Sequence, residues 1–250
     1  MDTARYLARI KYFHSKEINA EYLSGLHQQH LFHIPFENLD IIYGKRFSLD
    51  LEQVYEKIVL NRRGGFCYEL NHLFHWLLTE LGFTPRMISA RVINDAGETG
   101  PEFDHMAIYV EGDLNYLADV GFGDLFIKPL EFKMDEVQYD GRNYFKIQKQ
   151  DDEGYLLLMS ADGIVFKGEY FFSLKTRTIQ EFMVPCIDKQ TNPDSHFVKT
   201  RICTKFTPEG RWTIRNNQWI ETIHKTKSGF QIRSEDELRQ LLINKFDIRI

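Results

Sequence analysis

The hydrophobic period of this 250-residue chain changes at Pro85, and that change limits what it can fold into more than any single motif does. Before Pro85 apolar residues recur every three or four positions. "ARYLARIKYF" offers Tyr6, Leu7, Ile10 and Phe13, "INAEYLSGLHQQHLF" offers Ile18, Tyr22, Leu23 and Leu26, and "SLDLEQVYEKIVL" opens at a Ser48 cap. From Cys67 the apolar positions 67, 70, 74, 77, 78 and 81 share one helical face, and Gly82 closes the segment. After Pro85 come short β-rich runs, among them "HMAIYVEG", "NYLADVGF" and "GYLLLMSA", divided by the turn signals "DGRN", "DDEG" and "ADG". Their regular spacing predicts an antiparallel sheet or a small barrel.

The last stretch differs again. "FVKTRICTKF" and "GRWTIRNN" read as strands around "TPEG", and "SEDELRQLLINKF" reads as a terminal helix with Ser234 and Glu237 as a capping box and Leu238, Leu241 and Leu242 as its buried stripe. The expectation is an α+β chain in three segments: helices over 1–84, an antiparallel sheet or small barrel over 85–190 and a mixed α/β tail over 191–250.

A hydrophobic content of 43% is enough to bury a substantial core. The formal charge of −5 carries no basic excess, which argues against nucleic acid or an anionic membrane as a partner of the whole surface. "MDTARYLARIKYF" lacks the apolar centre of a secretory signal, and no run is long enough to span a membrane. Cys67, Cys186 and Cys203 are too few and too scattered for a disulfide framework, so the expected compartment is the reducing cytoplasm.

"NRRGGFCYELNHLF" raises the question of chemistry. Two glycines let the backbone turn sharply, and the helical period places the Cys67 sulfur in a first turn, where unpaired amides and the helix dipole favour a thiolate. The competing reading is a small buried hydrophobe. A base decides between them. His27, His30, His72 and His75 lie in helical segments and read as surface or partly buried packing; with no HExxH and no Cys-x-x-Cys beside them, no metal is expected.

His105 is different. It opens a strand that a tight turn joins to "DLNYLADVGFG", and a hairpin centred on Gly112 opposes Val110 to Leu114, Ile108 to Tyr116 and His105 to Asp119. Opposed side chains sit about 4.5–5.5 Å apart at Cβ, within reach of a carboxylate–imidazole hydrogen bond. Asp119 would then orient His105 and leave its other nitrogen to take a thiol proton. The alternative for Asp119 is an edge-strand or turn residue before Gly121. There is no GxxxxGK loop, and Gly121 and Gly123 alone are a weak phosphate signal.

"IPFENLD", "RRGGFCYELN", "DHMAIYV" and "ADVGFG", in this order and at these separations, resemble the arylamine N-acetyltransferases, and "RIKYF" and "TPEGRW" also fit. The resemblance spans nearly the whole chain. It implies a cysteine-protease-like core in which an α/β lid follows bundle and barrel. It also implies a Cys67–His105–Asp119 triad that takes an acetyl group from acetyl-CoA and passes it, by ping-pong kinetics through a thioester, to an aromatic amine or hydrazine. The setting it implies is xenobiotic metabolism. By position, Arg63 and Glu37 would form a buried ion pair under the cysteine loop, where residue type alone suggests two surface charges. Phe36, Phe122 and Phe197 would line the acceptor pocket, where residue type alone suggests core packing. Thr99 and Gly100 are the nearest counterpart of a coenzyme A-binding Thr-Gly pair, one residue further from His105 than in the family. Two rivals share these residues: a thiol hydrolase or transglutaminase-like enzyme, and a binding protein that has lost turnover.

Overall fold

The computed structural model describes residues 1–14, 17–113, 115–150, 152 and 154–249. The segment before Pro85 contains α1 (Thr3–Arg9), α2 (Ala20–His33), the short strand β1 (Phe36–Glu37), α3 (Leu39–Ile42), α4 (Leu51–Tyr55) and α5 (Cys67–Glu80). Helix α4 runs into a π-helical turn at Glu56–Leu60, where Asn61 N–H donates to Glu56 O at 2.8 Å. Asp2, Asn19 and Asp50 set helix starts by accepting first-turn amides with their side chains. Ser48, expected to cap the helix that Asp50 caps, falls two residues short of that role; its hydroxyl accepts Asp50 N–H instead. Phe13 and Ile18, expected on apolar stripes, lie outside the helices and are exposed.

Eight strands follow: β2 (Thr84–Val92), β3 (His105–Glu111), β4 (Tyr116–Ala118), β5 (Leu130–Glu131), β6 (Gln138–Tyr139), β7 (Tyr144–Lys149), β8 (Tyr155–Ser160) and β9 (Lys167–Phe172). They form one antiparallel sheet in the order β5-β4-β3-β2-β9-β8-β7-β6. The sheet curls until its edges meet. The Gln138 side chain on β6 donates to Glu131 O and accepts Glu131 N–H on β5, both at 2.8 Å, so the barrel is nearly closed.

Strand β3 is covered on both sides, which explains its continuous apolar run. Met106, Ile108 and Val110 join the helical core with Leu70, Phe74 and Leu77 of α5, while Ala107 and Tyr109 join the barrel core with Phe126, Phe145 and Tyr170. Each fully buried leucine or phenylalanine of α5 contributes roughly 1.5–3 kcal/mol. By the same alternation His105 belongs to the barrel face of β3.

The chain then forms α6 (Ile179–Thr191), α7 (His196–Lys199), β10 (Ile202–Phe206), β11 (Gly210–Arg215), β12 (Gln218–Ile223), β13 (Thr226–Gln231) and α8 (Glu235–Phe246). Helix α6 occupies a stretch read from sequence as barrel. Thr178 N–H donates to Glu181 Oε2 at 2.7 Å in a capping box, and an interior Pro185 obscures the helical pattern. Phe197 and Val198, expected in a strand, lie in α7. At α8, Ser234 Oγ accepts Glu237 N–H at 3.1 Å as expected, but the Glu237 carboxylate reaches back to Arg233 N–H instead of that of Ser234. The second sheet has the order β1-β10-β11-β12-β13, with Phe36 opposite Thr204 and Glu37 opposite Cys203. A two-residue strand from the helical segment thus completes the C-terminal sheet. Among the described residues no helix is long and apolar enough to cross a membrane.

Candidate active site

Cys67 is the first residue of α5, after Phe66 in extended backbone. The amides of this first turn have no carbonyl partners within the helix. Gly64 and Gly65, expected to let the backbone turn sharply, do so without positive φ. They provide room: a Cβ on Gly64 would overlap Pro35 O and Glu37 Cγ, where β1 is laced to the cysteine loop by Glu37 N–H to Gly65 O (2.9 Å) and Gly65 N–H to Pro35 O (3.2 Å).

Beneath this loop lies a chain of charges. Arg63 Nη2 is 2.7 Å from Glu37 Oε1 and 3.0 Å from Asp40 Oδ1, and Lys57 Nζ is 2.8 Å from Asp40 Oδ2 and 2.9 Å from Glu69 Oε1. Glu37 and Glu69 are buried, and Arg63 and Lys57 nearly so. Glu69 Oε2 accepts Phe66 N–H at 2.8 Å, which ties the network to the residue before Cys67. Against the penalty of burial, the carboxylates of Glu69, Glu37 and Asp40 hold Lys57 above its ordinary range.

The second half of the site hangs from β3. Its register with β4 pairs Val110 with Tyr116, Tyr109 with Leu117 and Ile108 with Ala118, so the hairpin is centred one residue later than expected. Leu114, part of the expected register, lies outside the described residues. Strand β4 ends at Ala118, so Asp119 is not the cross-strand partner of His105 that the sequence suggested. It reaches the ring from the following loop: His105 Nε2 is 2.7 Å from Asp119 Oδ2, with both groups buried. The other oxygen, Asp119 Oδ1, accepts Asn71 Nδ2–H and Gly121 N–H, both at 2.9 Å. Asn71 Oδ1 accepts Val120 N–H at 2.9 Å, and Asn71 Nδ2 also donates to Met106 O at 2.6 Å. Tyr68 OH donates to Phe103 O at 2.8 Å, anchoring the loop that leads into His105. Gly121 lets the Asp119 loop touch α5, since a Cβ there would lie 2.9 Å from Cys67 Cα.

Cys67 and His105 line one cavity of about 480 Å³ together with Phe36, Phe122 and Phe197. The Phe122 ring stands edge-on to His105 at 5.3 Å between centroids, and Phe197 stands edge-on to Phe66 at 4.5 Å. Thr99 and Gly100 belong to the loop between β2 and β3, outside this lining. Basic side chains do line it: Lys189 from α6, Arg211 and Arg215 from β11, and Lys227 from β13. Two of them are paired within the same lining, Lys189 with Asp104 at 2.5 Å and Arg211 with Asp124 at 2.6 Å. Burial pushes the Cys67 thiol well above its ordinary value, while the Lys189 ammonium pulls it back. Burial thus opposes the lowering expected from the helix terminus alone. Among the described residues no group of His, Cys, Asp and Glu is arranged to hold a metal ion.

Sequence reasoning missed Asn71, Lys189 and His27. Asn71 could have been found, because it falls one helical turn after Cys67 on α5. Lys189 was hidden with α6. His27 and His30, read as surface or partly buried, have no exposed surface.

A family model described as N-acetyltransferase matches residues 19–250. The arylamine N-acetyltransferase pineal gland isozyme NAT-3 of Gallus gallus is 31% identical over 275 residues, covering 100% of this chain and 95% of that protein. The chain belongs to the arylamine N-acetyltransferase family. Solved arylamine N-acetyltransferases share its fold, the cysteine-protease-like one. That of Mycobacterium marinum in complex with CoA superposes with a TM-score of 0.91 at 27% identity, covering 99% of this chain and 93% of that one. That of Bacillus cereus, described as having a unique Cys-His-Glu catalytic triad, gives a TM-score of 0.91 at 26% identity, covering 100% of each chain.

Proposed function

We propose that the protein transfers an acetyl group from acetyl-CoA to the nitrogen of an aromatic amine or hydrazine through an acetyl-Cys67 intermediate, with His105 as proton carrier and Asp119 as its orienting carboxylate. The observation that carries this reading is the buried 2.7 Å bond from His105 Nε2 to Asp119 Oδ2, at the wall of the cavity that Cys67 lines. With Nε2–H donated to the carboxylate, Nδ1 is the nitrogen left to accept the thiol proton.

Cys67 then attacks the thioester carbonyl, and first-turn amides of α5 stabilise the oxyanion. Coenzyme A leaves as its thiol, taking the proton from His105. An arylamine, neutral at physiological pH, attacks the acetyl-cysteine; His105 accepts its proton and returns it to the Cys67 sulfur as the amide departs. Phe36, Phe122 and Phe197 offer apolar faces to the acceptor ring, and Lys189, Arg211, Arg215 and Lys227 offer charge to the phosphates of the donor. Arg63 and Glu37 brace the cysteine loop. Residues 1–84 act as the bundle, strands β2–β9 as the barrel, followed by α6, and 191–250 as the lid. Three free cysteines, Cys67, Cys186 and Cys203, suit a cytoplasmic enzyme, and xenobiotic amines suit the aromatic lining.

Intact-mass and peptide mapping after incubation with acetyl-CoA should find one acetyl group, on Cys67, removed by an arylamine. An unmodified protein at saturating donor would sink the acetyltransferase reading, and rapid loss of the label to water would favour a thiol hydrolase.

A further inference from the structure

We infer that His27 is a positioning residue for the reaction: its imidazole holds the main chain of Asp119 so that the carboxylate stays aimed at His105. The inference rests on the triad reading above. Because β4 ends at Ala118, the N–H and C=O of Asp119 lie beyond the β3–β4 ladder and need other partners. One edge of a single side chain reaches both, and its tautomer decides which of the two it bonds. His27 Nε2 lies 3.2 Å from Asp119 N and 3.0 Å from Asp119 O, and His27 Nδ1 lies 3.3 Å from Ile127 O.

The ring is fixed against rotation. It has no exposed surface, lies flat on Phe126 at 5.6 Å between centroids and meets Phe74 edge-on at 6.0 Å. Its tautomer follows from counting bonds. With the proton on Nδ1, the ring donates to Ile127 O and accepts Asp119 N–H, which makes two bonds; with the proton on Nε2, it makes only the bond to Asp119 O. The Nδ1–H form is therefore the one this pocket selects. Asp119 is then gripped by two helices, its side chain by Asn71 of α5 and its backbone by His27 of α2. Losing either grip lets the carboxylate swing away from His105.

The test is the single-turnover rate of Cys67 acetylation, read by rapid-quench mass spectrometry in the full chain and in His27→Phe, His27→Gln and Asp119→Asn. Phenylalanine keeps the ring stack and removes both nitrogens. It should slow acetylation by about 30–100-fold, the scale of a misplacement of about 1 Å, with the KM for acetyl-CoA changed by less than about 3-fold, since binding is untouched. Glutamine, which can donate to Ile127 O and accept Asp119 N–H, should recover most of the rate. A merely structural role would move neither the split between rate and KM nor the rescue. Wild-type rate in His27→Phe with loss in Asp119→Asn overturns the role of His27 and leaves the triad standing. Wild-type rate in Asp119→Asn overturns the triad and this inference with it. If His27→Phe does not fold, 15N NMR of the wild-type imidazole decides: a neutral ring fixed in the Nδ1–H form is expected, and a ring that averages between tautomers, held by neither Asp119 nor Ile127, overturns the role of His27.

Discussion

Replacing Arg63 by methionine tests whether the charges under the cysteine loop hold it in place. The guanidinium serves two carboxylates, Glu37 Oε1 at 2.7 Å and Asp40 Oδ1 at 3.0 Å. After Arg63→Met, Asp40 keeps Lys57 at 2.8 Å. Glu37 keeps, among its described contacts, only Leu39 N–H on Oε2 at 2.7 Å, and its side chain has no exposed surface. An ionised carboxylate stripped of its cation in such a place costs about 3–5 kcal/mol. In a chain of this size that lowers Tm by roughly 6–20 °C. The double variant Arg63→Met with Glu37→Gln removes the orphaned charge and keeps an acceptor for Leu39, so it should recover a large part of the loss. Urea unfolding of the wild type, the two single variants and the double variant measures each term and their coupling. A loss below about 1 kcal/mol for Arg63→Met, or a double variant no more stable than the single one, would refute the argument that Glu37 depends on Arg63.

Gly121→Ala puts a methyl group 2.6 Å from Cys67 O and from Asn71 Nδ2. It should cost about 1–3 kcal/mol of stability and slow Cys67 acetylation about 100-fold; normal kinetics with normal stability would show that the loop gives way without displacing the site. Lys189→Met should move the pH midpoint of Cys67 alkylation by iodoacetamide upward, because the ammonium is what opposes burial of the thiolate; an unmoved midpoint speaks against it. Burial holds His27 and His72 at about 4, below their ordinary 6.5. The unfolded chain binds those protons as the pH falls from 6.5 toward 4 while the folded chain does not, so their contribution is full above 6.5 and declines below it. Urea midpoints should therefore drop between about pH 7 and 4.5, less steeply in His72→Gln; equal slopes in the two proteins would contradict the shift at His72.

The parts of this molecule that were legible in sequence are those where local pattern and tertiary packing agree. The start of α5 at Cys67, the strand from His105 and the cap at Ser234 all announce themselves within a few residues. The meeting of His105 and Asp119 was anticipated on a register that the hairpin does not adopt. It occurs because a loop residue held by Asn71 and Gly121 N–H reaches the ring, and no period-2 argument contains that. Helix α6 was lost because Pro185 removes one donor from its interior, although Thr178 and Glu181 carry the signature of its start. His27 left no local trace. Its partners lie 92 and 100 positions away, so only the folded chain reveals what its nitrogens face.

Strand β1 has only two residues, yet it decides the order in which this protein can be assembled. On one side Glu37 N–H donates to Gly65 O, and on the other Glu37 is paired with Cys203 and Phe36 with Thr204. The segment that braces the Cys67 loop is itself edge-paired with chain made far later. Closing so long a loop is inexpensive in equilibrium terms, because its entropy grows only with the logarithm of length, but it is slow to find. During synthesis the ribosome must release β10 before β1 has its second neighbour. A nascent chain cut short before that point carries Cys67, His105 and Asp119 on its sequence and lacks one of the two pairings of the strand that borders the cysteine loop.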